Sequence, residues 1–290
     1  MSVLEKVKEL RDITGAGMQD CKNALKENEN NIEKSVEYLR KKGVLKAAKK
    51  SSRSAAEGLI ILGENEKNLV LTEINTETDF VAKNNEFLNF CSKISKISLN
   101  AETIDDLNKL IFEKDLSVKD SIINLVSKIG ENIKLRRIEN IKKDGCKTNF
   151  YIHNKASDVS GKIISVIKYK SKNENSNNLA ANICMHIAAM SPMALDESGL
   201  DKAFIEKEKK IIEEQIDKKG KKPEILEKII NGKLNKIISD NVLLDQKFVI
   251  DPDKSVNESI QDFNKKNNDS FKIEEFIRYK VGDGVEVKKS

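Results

Sequence analysis

The sequence changes character at Ile74-Asn75-Thr76-Glu77-Thr78-Asp79-Phe80-Val81-Ala82-Lys83-Asn84, where a β-branched, apolar run gives way to a segment with helix-start signals. We expect the function to depend on this strand-to-helix turn. Two interpretations of Phe80 are open, because an aromatic here can staple the following helix to the core or project outward as a probe. A single Phe beside a Val and an Ala is more often buried than presented, so composition favours the staple.

Length and composition indicate a folded, highly charged protein. The chain has 290 residues, which predicts two or three structural units rather than one core. Hydrophobic residues make up 38% of the chain, enough to form a core, and charged residues make up 34%. The 52 basic and 47 acidic residues nearly balance, at a net charge of +5. This balance argues against a protein that binds polyanions mainly through bulk electrostatics.

Targeting, metal and disulfide signals are missing. The N-terminal residues show no signal-peptide pattern, and no apolar run approaches the ~20 residues of a membrane-spanning helix. We therefore expect a cytoplasmic protein. The cysteines lie far apart without a C-x-x-C pair, so reduced thiols are expected rather than disulfides or a zinc site. The only histidines are His153 and His186, and His186 lies in an apolar helix pattern that predicts a buried structural imidazole.

The first 45 residues predict a docking module of three short helices. Apolar residues recur at helical spacing, and Gly15-Ala16-Gly17 separates the first two helices. A bundle of about 40 residues has almost no room for a catalytic cavity. The stretch Lys41–Arg53 that follows contains basic residues and no acid. We interpret it as a solvated linker, and the alternative is a basic strip that meets an acidic partner or RNA.

Hairpin signals and separate helix signals follow, which indicate an α+β core. Apolar runs at Leu59–Leu62 and Leu69–Ile74 indicate a β-hairpin. A helix is predicted from a cap at Ser117 to Ile129, with Gly130 ending it. Further strands are predicted at Ile133–Ile141, Thr148–Ile152 and Lys162–Tyr169. Asp144-Gly145 is the predicted turn between the first two of these.

The second half of the chain repeats the order of the first. Gly161-Lys162-Ile163-Ile164 leads through a polar turn to an apolar helix, as Gly58-Leu59-Ile60-Ile61 leads to a helix in the first half. After Ser191-Pro192, two charged amphipathic helices joined by Lys219-Gly220-Lys221-Lys222-Pro223 predict an antiparallel hairpin. Its role is either a strut or association with another subunit or partner. A capping box at Ser255–Glu258 and a strand from Phe271 to Val281 then return the chain to the core.

Signatures of common enzyme classes are absent from the sequence. It contains no phosphate-binding loop, no dinucleotide-binding glycine pattern, no His-Glu-x-x-His and no Gly-x-Ser-x-Gly. Gly282-Asp283-Gly284 resembles a calcium loop only superficially, because the remaining acidic ligands are missing. We therefore expect no cofactor, no metal and no direct nucleotide binding, and we favour a binding protein over an enzyme.

Five segments carry a resemblance to one family. They are Val7-Lys8-Glu9-Leu10-Arg11-Asp12-Ile13-Thr14-Gly15-Ala16-Gly17-Met18-Gln19-Asp20-Cys21-Lys22-Asn23-Ala24-Leu25, Thr78-Asp79-Phe80-Val81-Ala82-Lys83, Lys128-Ile129-Gly130-Glu131-Asn132-Ile133, Met185-His186-Ile187-Ala188-Ala189 and Phe276-Ile277-Arg278-Tyr279-Lys280-Val281-Gly282-Asp283-Gly284. In sequence and in order they resemble the bacterial translation elongation factor Ts family. The similarity extends over nearly the whole chain, so chance is a poor explanation.

The resemblance implies an α+β fold with several parts. A three-helix bundle like the ubiquitin-associated domain would occupy residues 1–45, and a basic linker residues 46–56. The core would have an N-terminal subdomain at 57–145 and a C-terminal subdomain at 146–194 and 244–290. An inserted antiparallel helical hairpin, a coiled coil, would span 195–243. A homodimer through this hairpin is left open by the resemblance.

The resemblance also implies a function. The chain would be a guanine-nucleotide exchange factor for elongation factor Tu, without covalent chemistry, and it would bind the GDP-bound and nucleotide-free forms. Thr78, Asp79, Phe80 and Val81 would intrude near the magnesium and phosphate end of the partner's nucleotide pocket. GDP would be released, and GTP binding would then displace the factor. This implication reverses the staple interpretation of Phe80.

Docking residues outside this turn are implied as well. They are Met18, Gln19 and Lys22 on the bundle, and His153 and Val249 on the C-terminal subdomain. A surface histidine without a docking role is the alternative for His153, because the chain inserts Asn154 to Val159 directly after it. The alternative for the whole protein is a ribosome- or RNA-associated protein that uses Lys41–Arg53 and the hairpin. RNA binding would weaken steeply as the salt concentration rises. A nucleotide exchange factor would require no nucleic acid and no membrane.

Overall fold

The computed structural model describes residues 1–216 and 223–285, and it has the mixed helix and strand content of an α+β protein. The predicted fold class is therefore confirmed. The chain divides into two compact units. The first comprises Met1–Lys143, Ile152–Ile164 and the chain from Tyr279 onward, and the second comprises Asp144–Tyr151 and Ser165–Arg278. The finer subdomain boundaries stay a prediction.

The first unit begins with three helices, α1 (Val3–Thr14), α2 (Met18–Glu27) and α3 (Ile32–Lys50). Ser2 and Glu5 form a capping box at the start of α1, and Gly15 ends this helix at a φ of 66°. The helices bury a shared core of Val7, Leu10, Cys21, Ala24, Leu25 and Leu39. The predicted helices are thus present, and α3 is longer than expected.

The basic stretch from Lys41 to Arg53 is helical as far as Lys50. The Nζ atoms of Lys42 and Lys46 each lie 3.0 Å from a carboxylate oxygen of Asp20. These lysines, Lys42 first, hold the pKa of Asp20 below its usual value. The interpretation of this stretch as a linker is therefore wrong as far as Lys50, because these residues continue α3. Lys42 and Lys46 also pair with an acid more than twenty residues earlier in the chain.

The strands of the first unit form an antiparallel sheet and a small β-pair. They are β1 (Glu57–Glu64), β2 (Asn68–Thr76), β3 (Ile111–Glu113), β4 (Leu116–Ser117) and β5 (Lys134–Lys142). β1 and β2 form the predicted hairpin, and β5 pairs with the other edge of β2. β3 pairs with β4.

The helices that follow this hairpin cover one face of its sheet. They are α4 (Asp79–Ala82), α5 (Asn85–Ile97), α6 (Ile104–Lys109) and α7 (Val118–Ile129). As predicted, Ser117 caps α7 and Gly130 ends it in the left-handed region at a φ of 89°. Alternate residues of β1, Leu59 and Ile61, share a buried core with Phe87 of α5. The turn between β2 and α5 is therefore attached to the main core of this unit.

The later elements are β6 (Lys147–Ser157), β7 (Ser160–Lys170), α8 (Ser176–Met190), α9 (Lys202–Gln215), α10 (Pro223–Asn241), β8 (Lys247–Phe248), β9 (Asp251–Ser255), α11 (Val256–Asn267) and β10 (Lys272–Lys280). β7 pairs with β6 and β10. Ser255 and Glu258 form the predicted capping box of α11. In the second unit, α8 and α11 pack on a core that contains Tyr169 stacked on Phe271 at 4.8 Å.

The Asp144-Gly145 turn is present, but it does not close a hairpin. Both residues have positive φ, 47° and 74°, as a tight turn of this kind requires. The strands on either side of this turn nevertheless do not pair with each other. β5 pairs with β2, and β6 pairs with β7. Asp-Gly supplies the backbone conformation of a turn, and the pairing of the strands depends on distant parts of the chain.

Helices α9 and α10 pack against each other. Ile205 near the start of α9 lies with Leu234 and Ile238 near the end of α10 in one apolar cluster. This placement is that of an antiparallel pair. The residues predicted to turn the chain, Lys219-Gly220-Lys221-Lys222, lie outside the described residues. No helix within residues 1–216 and 223–285 is long and apolar enough to cross a membrane.

All four cysteines are free, as predicted. Cys21, Cys91 and Cys184 are buried and Cys146 is half-buried. Burial raises the pKa of the Cys91 and Cys184 thiols above their usual range. These side chains therefore act as small apolar residues of the core.

Candidate functional site

Phe80 projects into solvent from the turn between β2 and α5. Its side chain is 79% exposed, whereas the next residue, Val81, is only 7% exposed. Val81 and Ala82 belong to the main core of the first unit, so Val81 is the staple and Phe80 is presented. The structure thus decides between the two interpretations that the sequence left open for the position of this ring.

The helix that carries Phe80 is a single turn. Thr78 is its N-cap residue, with an extended backbone at φ −126° and ψ 158°. Asp79 in the first turn lies near the positive end of the helix dipole, and its carboxylate is 2.9 Å from Lys83 Nζ. The hydrogen bond from Lys83 lowers the pKa of Asp79, so the carboxylate next to Phe80 is ionised at neutral pH.

Glu131, in the loop after α7, binds the start of this turn. The Thr78 hydroxyl donates to Glu131 Oε1 at 2.6 Å, and the Thr78 N–H donates to Oε2 at 3.0 Å. The Thr76 hydroxyl in turn donates to the Thr78 carbonyl at 2.8 Å. Each polar group of Thr78 therefore has a partner outside α4.

A reciprocal contact joins the same two segments. Glu77 Oε1 accepts the N–H of Asn132 at 2.6 Å, and its other oxygen lies 3.5 Å from Arg53. The Asn132 side chain donates to the Arg53 carbonyl at 2.8 Å. Sequence reasoning missed this arrangement. The available signal was the segment Lys128–Ile133, which matched the family without an assigned role.

The predicted docking residues of the bundle lie on one exposed helical turn. Met18, Gln19 and Lys22 are all exposed on the first turn of α2. Ile13 at the end of α1 is exposed as well, on the other side of the Gly15–Gly17 turn. The N-terminal bundle thus presents two apolar side chains next to a cationic one.

His153 lies in the hairpin of β6 and β7. It is exposed, and the inserted residues from Asn154 onward continue β6 and form the turn to β7. Asn154 has a positive φ of 50°. Across the hairpin, a Cβ on Gly161 would lie 2.8 Å from the His153 carbonyl oxygen, so the backbones approach closely here.

Val249 and Ile250 form the turn between β8 and β9, and both are exposed, at 44% and 52%. His186 of α8 is hydrogen-bonded to this turn. Its Nδ1 accepts the Val249 N–H at 3.3 Å, and its Nε2 pairs with Gln246 Oε1 at 2.9 Å. This places the proton on Nε2 of a neutral ring. Burial lowers the pKa of His186, in accord with the predicted structural imidazole.

A buried carboxylate of β2, Glu73, is the second feature that sequence reasoning missed. Arg136 Nη1 donates to both Glu73 oxygens at 3.0 Å, and Arg137 Nε donates at 2.5 Å. The N–H of Gly282 donates to Oε1 at 2.8 Å. Burial alone would raise the pKa of Glu73, but the hydrogen bonds from Gly282, Arg137 and Asn75 outweigh it and lower the pKa.

Gly282 is required at this position by geometry. Its φ is 77°, and a Cβ would lie 2.5 Å from the carbonyl oxygen of Ala56. The Gly-Asp-Gly segment that superficially resembled a calcium loop therefore supplies a backbone donor to Glu73. Among residues 1–216 and 223–285, no group of three or more His, Cys, Asp or Glu side chains is placed to hold a metal ion.

The fold and the Phe80 turn together define a class, an α+β protein that exposes an apolar ring at a strand-to-helix turn. Comparison with known proteins identifies the family. The sequence profile of the family described as Elongation factor TS matches residues 77–283. A protein of Rickettsia akari (strain Hartford) called Elongation factor Ts is 40% identical over 286 residues, covering 97% of this chain and 92% of the relative. The protein of that name from Rickettsia bellii (strain OSU 85-389) is 38% identical over 283 residues, with the same coverage. The chain therefore belongs to the elongation factor Ts family.

Proposed function

We propose that this protein is a guanine-nucleotide exchange factor for elongation factor Tu, acting in the cytoplasm without covalent chemistry of its own. Membership of the family supports this proposal. The observation that carries it is the exposed ring of Phe80 on a turn held by hydrogen bonds. An apolar ring that buries little surface in the free protein is suited to insertion between elements of a partner.

The free energy available from Phe80 is limited. Burying one such side chain in a partner returns roughly 1.5–3 kcal/mol. Loosening GDP a thousandfold requires about 4 kcal/mol of coupling. Phe80 alone is thus insufficient, and contacts elsewhere must hold the complex while the turn is inserted.

Asp79 supplies the electrostatic part of the proposal. Its carboxylate is ionised and lies beside Phe80, half-exposed, in contact with Lys83. When Phe80 enters the partner, this negative charge comes close to the magnesium end of the nucleotide pocket. A carboxylate there perturbs the ligands that hold the metal and the β-phosphate, which favours release of GDP.

Two exposed surfaces are proposed to anchor the complex. The first is the turn of α2 with Met18, Gln19 and Lys22. The second is the Val249 turn of the second unit, to which we add Ile250 because it is also exposed. His153 of the first unit is proposed as a separate contact. Displacement of the factor follows from the same coupling. If binding of the factor lowers the affinity of the partner for nucleotide, binding of nucleotide lowers the affinity of the partner for the factor by the same ratio.

Stopped-flow release of a fluorescent GDP analogue from elongation factor Tu tests the proposal. We expect the wild-type chain to accelerate release and Phe80→Ala to be slower by about tenfold to a hundredfold, the equivalent of the lost burial. Ile111→Ala is the matched control, because Ile111 is another exposed apolar residue of the first unit, at 60%. Equal rates for Phe80→Ala and wild type would refute the role of Phe80, and no acceleration by wild type would refute the function.

The RNA-binding alternative is not favoured by the structure. Lys42 and Lys46 of the basic stretch pair with Asp20, and Lys50 donates to the Gly130 carbonyl, so they are engaged within the protein. A homodimer through residues 195–243 stays a prediction. Sedimentation of the free protein over a range of concentrations tests it, and a monomer throughout would refute it.

A further inference from the structure

The turn that presents Phe80 cannot hold its position by itself. Helix α4 has four residues, one turn, which is far below the length at which a helix is stable alone. The Phe80 ring is exposed, so it adds little packing to the turn. Val81 and Ala82 anchor the end of the turn in the core. A separate device must fix its beginning.

The contacts of Thr78 identify this device. An N-cap threonine usually turns its hydroxyl toward the helix it caps, but the Thr78 side chain makes no such bond. Its hydroxyl and its N–H both go to the carboxylate of Glu131, at 2.6 Å and 3.0 Å. Glu131 therefore fixes the orientation of the first peptide of the turn. The Glu77–Asn132 contact, at 2.6 Å, holds the same two segments together in the opposite direction.

We propose that Glu131 is a positioning residue for nucleotide exchange, acting on Phe80 through Thr78. The inference rests on the proposed function of Phe80. Without Glu131, the N–H and hydroxyl of Thr78 turn to water, and the direction in which Phe80 projects is no longer fixed. Small misplacements of a positioned group are costly, because the group must find its productive orientation after binding. Docking through other surfaces is unaffected.

Steady-state exchange at varied factor concentration tests this role with Glu131→Ala. We expect the maximal rate of GDP release to fall by about fivefold, less than for Phe80→Ala. The concentration that gives half of the maximal rate should stay unchanged, because Glu131 takes no part in docking. Glu131→Gln keeps one acceptor oxygen for Thr78 and should recover part of the lost rate.

The chain offers a matched control for the loss of a carboxylate clamp. Asp106 Oδ2 accepts the hydroxyl of Thr103 at 2.7 Å and its N–H at 3.2 Å, at the start of α6. Asp106→Ala thus removes the same type of contact from the same unit, away from Phe80. It should lower stability somewhat, because the capping contact is lost, and leave the exchange rate unchanged. Equal exchange rates for these two variants would overturn the inference.

A double variant tests whether Glu131 acts through Phe80. In the Phe80→Ala background, Glu131→Ala should cause no further loss of the maximal rate, because the ring that it positions is absent. An additional loss of the full fivefold size would overturn the inference. Thr78→Val, which removes only the hydroxyl, should give a smaller loss than Glu131→Ala and guards against a folding defect in the latter. If wild type itself fails to accelerate release, the proposed function fails, whereas failure of the inference alone leaves wild type and Phe80→Ala different.

Discussion

Two turns in this protein present apolar side chains, and the structure fixes them with different chemistry. The Phe80 turn in the first unit is held by the carboxylate of Glu131, which accepts from Thr78. The Val249 turn in the second unit is held by the neutral imidazole of His186, which accepts from Val249. In each case a side chain distant in sequence accepts a backbone N–H of the turn, from Thr78 two residues before Phe80 and from Val249 itself. In both turns, an exposed apolar residue stands on a backbone that a distant side chain holds in place.

The largest expected effect on stability is at His186. His186→Ala removes a buried ring and leaves the Val249 N–H and Gln246 without their partner, so we expect the free energy of unfolding to fall by about 2–4 kcal/mol. Denaturant titration measures this loss. His153→Ala, at the exposed histidine, is the control and should change little. If His186→Ala lowered the free energy of unfolding as little as His153→Ala, the contact of His186 with the Val249 turn would be unimportant for stability.

The next effect separates the staple from the probe in the first turn. Val81→Ala should lower the free energy of unfolding by about 1–3 kcal/mol, because Val81 is buried in the core. Phe80→Ala should change it by less than about 0.5 kcal/mol, because the ring is exposed. Thermal and denaturant unfolding of the two variants provide the test. A large loss for Phe80→Ala would mean that the ring packs inward in solution.

A pH dependence should distinguish the two turns. Burial lowers the pKa of His186 below its usual value of 6.5, so the unfolded chain binds a proton there more readily than the folded one. The contribution of His186 to stability is therefore present above pH 6.5 and is lost as the pH falls below it. Protonation also turns Nδ1 into a donor that can no longer accept the Val249 N–H.

Hydrogen exchange provides the measurement for this difference. Protection of the Val249 amide should be retained down to pH 6.5, the usual histidine pKa, and should fall below it, because the pKa of folded His186 is lowered. Protection of the Thr78 amide should not follow this fall. In His186→Gln the fall should disappear. Equal loss of protection at both amides would indicate a global effect of acid rather than one at His186.

The smallest effect on stability is expected at the tip of the second turn. Replacing Val249 and Ile250 together by Ser should change the free energy of unfolding by less than about 0.5 kcal/mol, because both side chains are exposed. If this turn docks on the partner, the same variant should bind elongation factor Tu more weakly. Binding measured by titration calorimetry, beside unfolding, separates the two properties, and unchanged binding would remove Val249 from the docking surface.

Local features of the fold could be predicted from the sequence, because their causes lie within a few residues. Ser117 and Gly130 mark the ends of α7, and Ser255 with Glu258 marks the start of α11. The strand-to-helix change at Ile74–Asn84 indicated the Phe80 turn as the candidate site, and the family resemblance agreed with it. The sequence alone favoured a buried ring, since no local signal distinguishes Phe80 from Val81 as the residue that packs.

Features that depend on distant partners could not be predicted. The clamp between Thr78 and Glu131 joins residues 53 positions apart. The sequence did not reveal the ion pairs of Lys42 and Lys46, because their partner Asp20 lies 22 and 26 positions earlier. Lysine, alanine and leucine all favour helix, so the extension of α3 to Lys50 agrees with local propensity once the expectation of a linker is removed.

The hydrogen bond from Gly282 to Glu73 joins positions 209 residues apart, and this separation constrains how the chain folds. Closing so long a loop is slow, and contacts of high sequence separation delay folding. On the ribosome, β2 emerges long before Gly282 is synthesised, so Glu73 can pair with Arg136 and Arg137 before the Gly282 N–H reaches it. We expect the first unit to reach its final packing only after Gly282 has left the ribosome.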